Sequence, residues 1–198
     1  MTHAPIDLAL VEAVLAPGLG SSRTLPAEAY TSADVFSWES ERFFNAGWVC
    51  LGRAEDLDRP GDQRAYRVGT EGILAVRGTD GTLRGFSNTC RHRGHELLEP
   101  GTRRSLGAIK CPYHAWVYGF DGRLNGAPRF GDVEGFDKAD YPLTEARICV
   151  WNGWLFANLS GDAEPFESYA GNLDALVEPW EVGRLFVAAS HEYMIEAN

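Results

Sequence analysis

Cys90-Arg91-His92-Arg93-Gly94 opens the stretch that decides the reading of this chain, and Cys111-Pro112-Tyr113-His114-Ala115-Trp116 closes it. Each end supplies one cysteine and one histidine. The pattern is C-x-H, eighteen intervening residues, then C-x-x-H. Gly94 and Pro112 stand beside the donors. Glycine permits close backbone approach and proline fixes φ, so both suit loops that wrap tightly around what they hold.

Thiolate is a soft donor and imidazole also suits iron. A pair of each fits a [2Fe–2S] cluster in which two imidazoles replace two thiolates on one iron. On that reading Cys90 and Cys111 bind one iron as thiolates, and His92 and His114 bind the other as neutral imidazoles. Fewer negative ligands raise the potential above that of an all-cysteine cluster. A structural zinc site also uses two Cys and two His, although zinc fingers group two Cys and then two His. A disulfide is disfavoured, because nothing in the chain suggests secretion.

Cys90-x-His92 with Cys111-Pro112-Tyr113-His114-x-Trp116 resembles the Rieske domain. More narrowly it resembles the N-terminal part of the alpha subunit of Rieske non-heme iron oxygenases, the aromatic ring-hydroxylating type, over about residues 36–198. The resemblance implies a mainly β fold, an antiparallel Rieske-type β-sandwich or barrel with flanking helices. Respiratory Rieske proteins carry a further cysteine in each loop. Here His95 and Tyr113 occupy those positions, so the disulfide over the cluster cannot form. Trp116 stands where the respiratory branch has a serine that donates to the cluster, which leaves Tyr118 as a candidate donor. Ala115 replaces the glycine common in the family.

The chain has 198 residues, 18 basic and 28 acidic, for a net charge of −10. An acidic chain with no basic run argues against nucleic acid as a partner. Asp7 and Glu12 interrupt the N-terminal region and no positive n-region is present, against a secretory signal. No apolar run reaches the roughly 18 residues of a membrane span. A reducing cytoplasm is the expected compartment, with Cys50 and Cys149 as reduced core residues.

The division expected is an arm and helix over 1–45, the cluster domain over 46–160, and a helix and strand over 161–198 leading into a catalytic domain. Ile6 to Leu15 is expected as a short helix ended by Pro17 and Gly18. Ser32 to Asn45 is a helix capped by Ser32 or Asp34 and ended by Gly47. Strands are expected over 48–52, 65–68, 73–77, 83–88, 108–110, 116–120, 148–151 and 154–159, with Asn152-Gly153 as the clearest hairpin turn. Pro165 to Trp180 reads as one helix with Phe166, Tyr169, Leu173, Leu176 and Val177 on one face. Arg184 to Asn198 reads as a strand.

The oxygen chemistry of such oxygenases needs a mononuclear Fe(II) held by two His and one carboxylate. His3, His95 and His191 are scattered, so this fragment offers no such site and no catalytic residue is assigned. The resemblance therefore implies an electron-transfer part. It receives electrons from a reductase or ferredoxin and serves O2-dependent mono- or dioxygenation of an organic substrate. Aromatic substrates are the first expectation, and quaternary amines such as betaines or carnitine the alternative. A stand-alone Rieske ferredoxin is the other alternative. The full-length parent is expected as a homotrimer or an alpha-beta hexamer. Arg91, Arg93, Arg103, Arg104 and Lys110 are expected as a basic collar that steers an acidic donor or compensates cluster charge.

Overall fold

The computed structural model describes residues 3–15, 18, 20–21, 23–131 and 133–196. Ten strands carry the architecture: β1 (Val49–Arg53), β2 (Asp62–Val68), β3 (Glu71–Arg77), β4 (Leu83–Ser87), β5 (Arg103–Ser105), β6 (Ile109–Lys110), β7 (Val117–Tyr118), β8 (Leu124–Gly126), β9 (Glu145–Trp151) and β10 (Trp154–Asn158). Seven form one sheet in the order β1-β10-β9-β4-β3-β2-β5, and β6-β7-β8 form a second, small sheet. Every pairing within them is antiparallel. The expected mainly β, antiparallel class is the one observed.

β3 shows why the sheet has two sides to bury. Ile73, Leu74, Ala75 and Val76 are all buried. Successive side chains on a strand point to opposite faces. Leu74 and Val76 join Phe86, Leu97, Ile109, Trp116, Tyr118, Cys90 and Cys111 in the main core, between the large sheet and the small one. Ala75 packs with Leu57, Tyr66 and Leu155 on the other side. The two motif cysteines thus sit inside the largest apolar cluster, while His92 and His114 are only half-buried.

β5 and β8 were not expected, because neither has an apolar alternation long enough to register. Both are held by pairing: Asp62, Gln63 and Arg64 of β2 align with Ser105, Arg104 and Arg103 of β5. Asp62 anchors this edge. It is buried, and its Oδ2 accepts from the Arg59 amide at 3.0 Å. Burial pushes its carboxyl up. That is outweighed by the Arg59 amide, Ser105 and the Arg103 charge, which leave it below its usual value. A depressed carboxyl contributes stability above the unfolded-state value of about 3.9 and loses it as pH falls through the lower folded value. Asp62→Asn is expected to cost about 1–3 kcal/mol at neutral pH. In thermal melts the gap to wild type should close as pH falls below about 4.

The helices depart further from expectation. Ser32 caps a helix over Ala33–Glu39 by accepting from the Val35 amide, but the second half, Ser40–Asn45, is wound as a π-helix. Gly47 does end it, with its amide on the Phe43 carbonyl. Leu8–Glu12 and Ala13–Leu15 form the short N-terminal helix, and its expected stop at Pro17 lies outside the described residues. The single helix over 165–180 is instead Phe166–Ala170 and Leu173–Val177, broken at Gly171 with φ 56°. Of its expected apolar face only Phe166 is buried, so the periodicity had no partner surface to satisfy. Among the described residues the strand expected over 184–198 is not formed. Arg184 ends a 3-10 turn, and 185–196 has no regular structure and no neighbouring strand. Cys50 is exposed and Cys149 half-buried, against the core placement expected of them. Among the described residues no helix is long and apolar enough to cross a membrane.

Candidate metal centre

Two loops of the same backbone design meet at the end of the main core. In the first, which follows β4, the Cys90 amide donates to the His95 carbonyl and the Gly94 amide returns to the Cys90 carbonyl. In the second, between β6 and β7, the Cys111 amide donates to the Trp116 carbonyl and the Ala115 amide returns to the Cys111 carbonyl. Each loop therefore closes over five residues, with the fifth in the left-handed region: Gly94 at φ 68° and Ala115 at φ 58°. Glycine adopts that region freely, whereas alanine meets a steric cost of about 1–2 kcal/mol. Ala115→Gly is expected to raise stability by about 1 kcal/mol, or the melting temperature by about 2–4 °C in a scanning calorimeter.

The four motif residues are brought together as two pairs. Cys90 and Cys111 are both buried in the same apolar cluster. The His92 and His114 rings lie 4.8 Å apart between centroids. Both Nδ1 atoms are buried and have no hydrogen-bond partner. An unpartnered buried imidazole nitrogen is costly unless something binds there. Among the described residues no three His, Cys, Asp or Glu side chains converge on one point. The motif instead offers a buried cysteine pair and a histidine pair.

The surrounding side chains set the environment. Burial raises the Cys90 thiol, with Tyr118 opposing it. Burial lowers His92, helped by His114 and Arg93, and so favours the neutral ring a metal needs. Trp116, 1% exposed, stacks on His92 at 4.8 Å and 10°. Phe130 and Phe136 pack on its edge. Tyr113 lies against His114, with ring centroids 3.7 Å apart, and is exposed like His95. Tyr118 comes from β7 and reaches across to the first loop. Its oxygen accepts from the Arg91 amide at 3.1 Å and stands 3.2 Å from Cys90 Sγ. With the amide donating to the oxygen, the hydroxyl proton is left for the sulfur.

A family model described as the Rieske [2Fe-2S] domain matches residues 47–137. The carnitine monooxygenase oxygenase subunit of Acinetobacter baumannii is 39% identical over 140 residues, 71% of this chain and 38% of that protein. The chlorobenzene dioxygenase alpha subunit of Cupriavidus sp. is 31% identical over 185 residues, 90% of this chain and 40% of that one. The chain belongs to the Rieske oxygenase family. A solved quaternary ammonium Rieske monooxygenase superposes with a TM-score of 0.72 at 35% identity, covering 79% of this chain and 43% of the other. This chain thus spans about two fifths of the length of the curated relatives it matches.

The cofactor of this family is a Rieske [2Fe–2S] cluster, and the donor set fits one: two buried thiols beside two imidazoles with unpartnered Nδ1 atoms. With Cys90 bound as a thiolate, Tyr118 would donate to its sulfur, the role the family resemblance suggested. Such bonds stabilise added negative charge on sulfur and raise the potential. Tyr118→Phe is expected to lower the reduction potential by on the order of 30–60 mV, read by a potentiometric titration.

Sequence reasoning missed two supports. The buried Asn88 accepts from the Leu98 amide and donates to its carbonyl, pinning the return of the first loop. The buried Gln63 donates to the Ala108 carbonyl and receives Arg104. No spacing marks either residue. Composition does not mark them either, since Gln63 lies between Asp62 and Arg64 and Asn88 follows Ser87. The expected basic collar also divides. Arg91, Arg93, Arg103 and Lys110 are exposed, while Arg104 is half-buried and turned inward.

Proposed function

We propose that Cys90 and Cys111 hold one iron of the cluster as thiolates, and that His92 and His114 hold the other through Nδ1. The observation that carries this is the pair of buried, unpartnered Nδ1 atoms on the same two loops as a buried cysteine pair. When bound, the cluster accepts and passes on one electron. The chain's own groups do the rest. Tyr118 donates to Cys90, Trp116 excludes water from His92, and the two loop closures fix the donors before metal arrives. A reddish-brown wild type with an anisotropic reduced-state EPR signal of low average g is the expected result. A colourless protein with one zinc would overturn the assignment, since zinc is d¹⁰.

The function we infer is the electron-transfer part of an oxygenase subunit, fed by a reductase or ferredoxin. Residues 161–198 are proposed to lead into a catalytic domain with a mononuclear iron. The lengths of the relatives, of which this chain spans about two fifths, support that division. A homotrimer is proposed for the full-length parent. The description of inter-subunit electron transfer in the quaternary ammonium relative supports an assembly of this kind. The cytoplasm is the proposed compartment, consistent with four free cysteines.

For substrate, the higher identity of the carnitine monooxygenase subunit favours a quaternary amine over the aromatic class expected first. The chlorobenzene dioxygenase relative, matched over more of this chain, keeps aromatic hydroxylation as the second reading. The full-length oxygenase with its reductase should be offered carnitine, glycine betaine and a panel of simple arenes. Substrate-dependent NADH and O2 consumption with the amines supports the first reading, and with the arenes alone the second.

A further inference from the structure

Arg104 stands apart from the other basic residues near the motif. It lies on β5 directly opposite Gln63 of β2. Its Nε donates to the Gln63 side-chain oxygen at 3.0 Å, and a terminal nitrogen donates to the Lys110 carbonyl at 3.3 Å. Lys110 is the residue before Cys111. Gln63 is fully buried, and its amide nitrogen holds the Ala108 carbonyl at 3.0 Å on the same approach to the second loop. Gln63 and Arg104 together brace the small sheet against the large one at the base of Cys111. Both acceptors of the guanidinium are neutral, so among the described residues no carboxylate quenches its charge. Burial lowers the Arg104 pKa, and Cys111 is the charged group that opposes this. Guanidinium remains protonated throughout the working range.

We propose that Arg104 is a positioning and potential-setting residue: a fixed, half-buried cation braced by Gln63 behind Cys111, which favours the reduced state of the centre. This rests on the assignment of Cys111 as a ligand. One electron accepted would add one negative charge to the centre that Cys111 would help to hold. A cation in a poorly screened site stabilises the added charge, whereas the exposed Arg91, Arg93 and Arg103 are screened by water and salt. The two roles separate in experiment, because a brace is lost with either hydrogen bond but a field is lost only with the charge.

The test is a dithionite titration of the iron-loaded chain, followed by EPR, on wild type, Arg104→Gln, Arg104→Lys, Gln63→Glu and Arg103→Gln. Arg104→Gln removes the charge. Gln63→Glu keeps the arginine and sets a carboxylate against it. Both are expected to lower the equilibrium constant for reduction about tenfold, about 59 mV for a one-electron couple. Arg104→Lys and Arg103→Gln are expected to stay near wild type. The proposal is overturned if Arg104→Gln and Gln63→Glu keep the wild-type potential, or if Arg103→Gln shifts it equally. Where Arg104→Gln retains no cluster, Gln63→Glu decides by the same criterion. A wild type without the two-histidine EPR signature fails differently: it overturns the ligand assignment, and this proposal with it.

Discussion

Replacing His114 with alanine is expected to abolish the reduced-state EPR signal of low average g and most of the visible absorption. On the proposed assignment, the second loop supplies one donor to each half of the centre. On that assignment the variant would leave one iron with a single imidazole, and the site would open toward solvent, because Tyr113, which lies against the His114 ring, is itself exposed. Among the described residues no other histidine is placed to substitute for it. His95 points outward with its Nδ1 at 2.7 Å from the Glu96 carbonyl, and His3 and His191 are remote in sequence and exposed. His95→Ala is therefore the matched control and should keep a wild-type spectrum. Iron and sulfide analysis of both variants completes the test. Loss of signal in both, or in neither, would refute the assignment of His114.

The contrast between His114 and His95 shows what the sequence could and could not reveal. Spacing relative to Cys90 and Cys111 singled out His92 and His114, because ligand chemistry restricts which residues stand at which offsets. The family resemblance, and not spacing, suggests Tyr118 as a candidate donor. The strands around the motif were legible where β-branched and aromatic residues alternated and a Gly-containing turn followed, as in β3 with β4 and β9 with β10. β5 was not, because Arg103-Arg104-Ser105 has no apolar period and is a strand only through β2. The helix over 165–180 failed for the opposite reason. Its apolar spacing is real, yet Gly171 breaks it and Tyr169 and Leu176 remain exposed. Periodicity predicts a face but not the surface that covers it. The tail from Leu185 onward is the same case. Phe186, Tyr193, Met194 and Ile195 are three-quarters or more exposed, so neither strand pairing nor packing is satisfied there. Arg104 shows a third kind of limit. Its charge is visible in the sequence, but its inward turn depends on Gln63, 41 residues away.

Trp116→Ala is expected to cause the largest loss of stability of any single substitution near the centre, about 3–5 kcal/mol. Trp116 is 1% exposed and is the hub of an aromatic cluster. It stacks on His92 and meets Phe130, Phe136 and Tyr141 edge-on, at 5.4, 5.8 and 5.6 Å. Such aromatic pairs contribute about 0.5–1.5 kcal/mol each beyond burial. Truncation also opens a path for water to the face of His92, so the loss has two readouts. Urea unfolding should show the midpoint shift with the slope unchanged, as for a cavity in a protein that still folds cooperatively. Bleaching of the visible absorption in air should also quicken, because water and oxygen then reach the histidine side. Trp116→Phe separates the two roles. It keeps an aromatic ring over His92 but loses part of the indole volume, so it should recover most of the bleaching lifetime while remaining less stable than wild type. Unchanged bleaching in Trp116→Ala, with stability lost, would reduce Trp116 to a packing residue and remove its role as the water barrier.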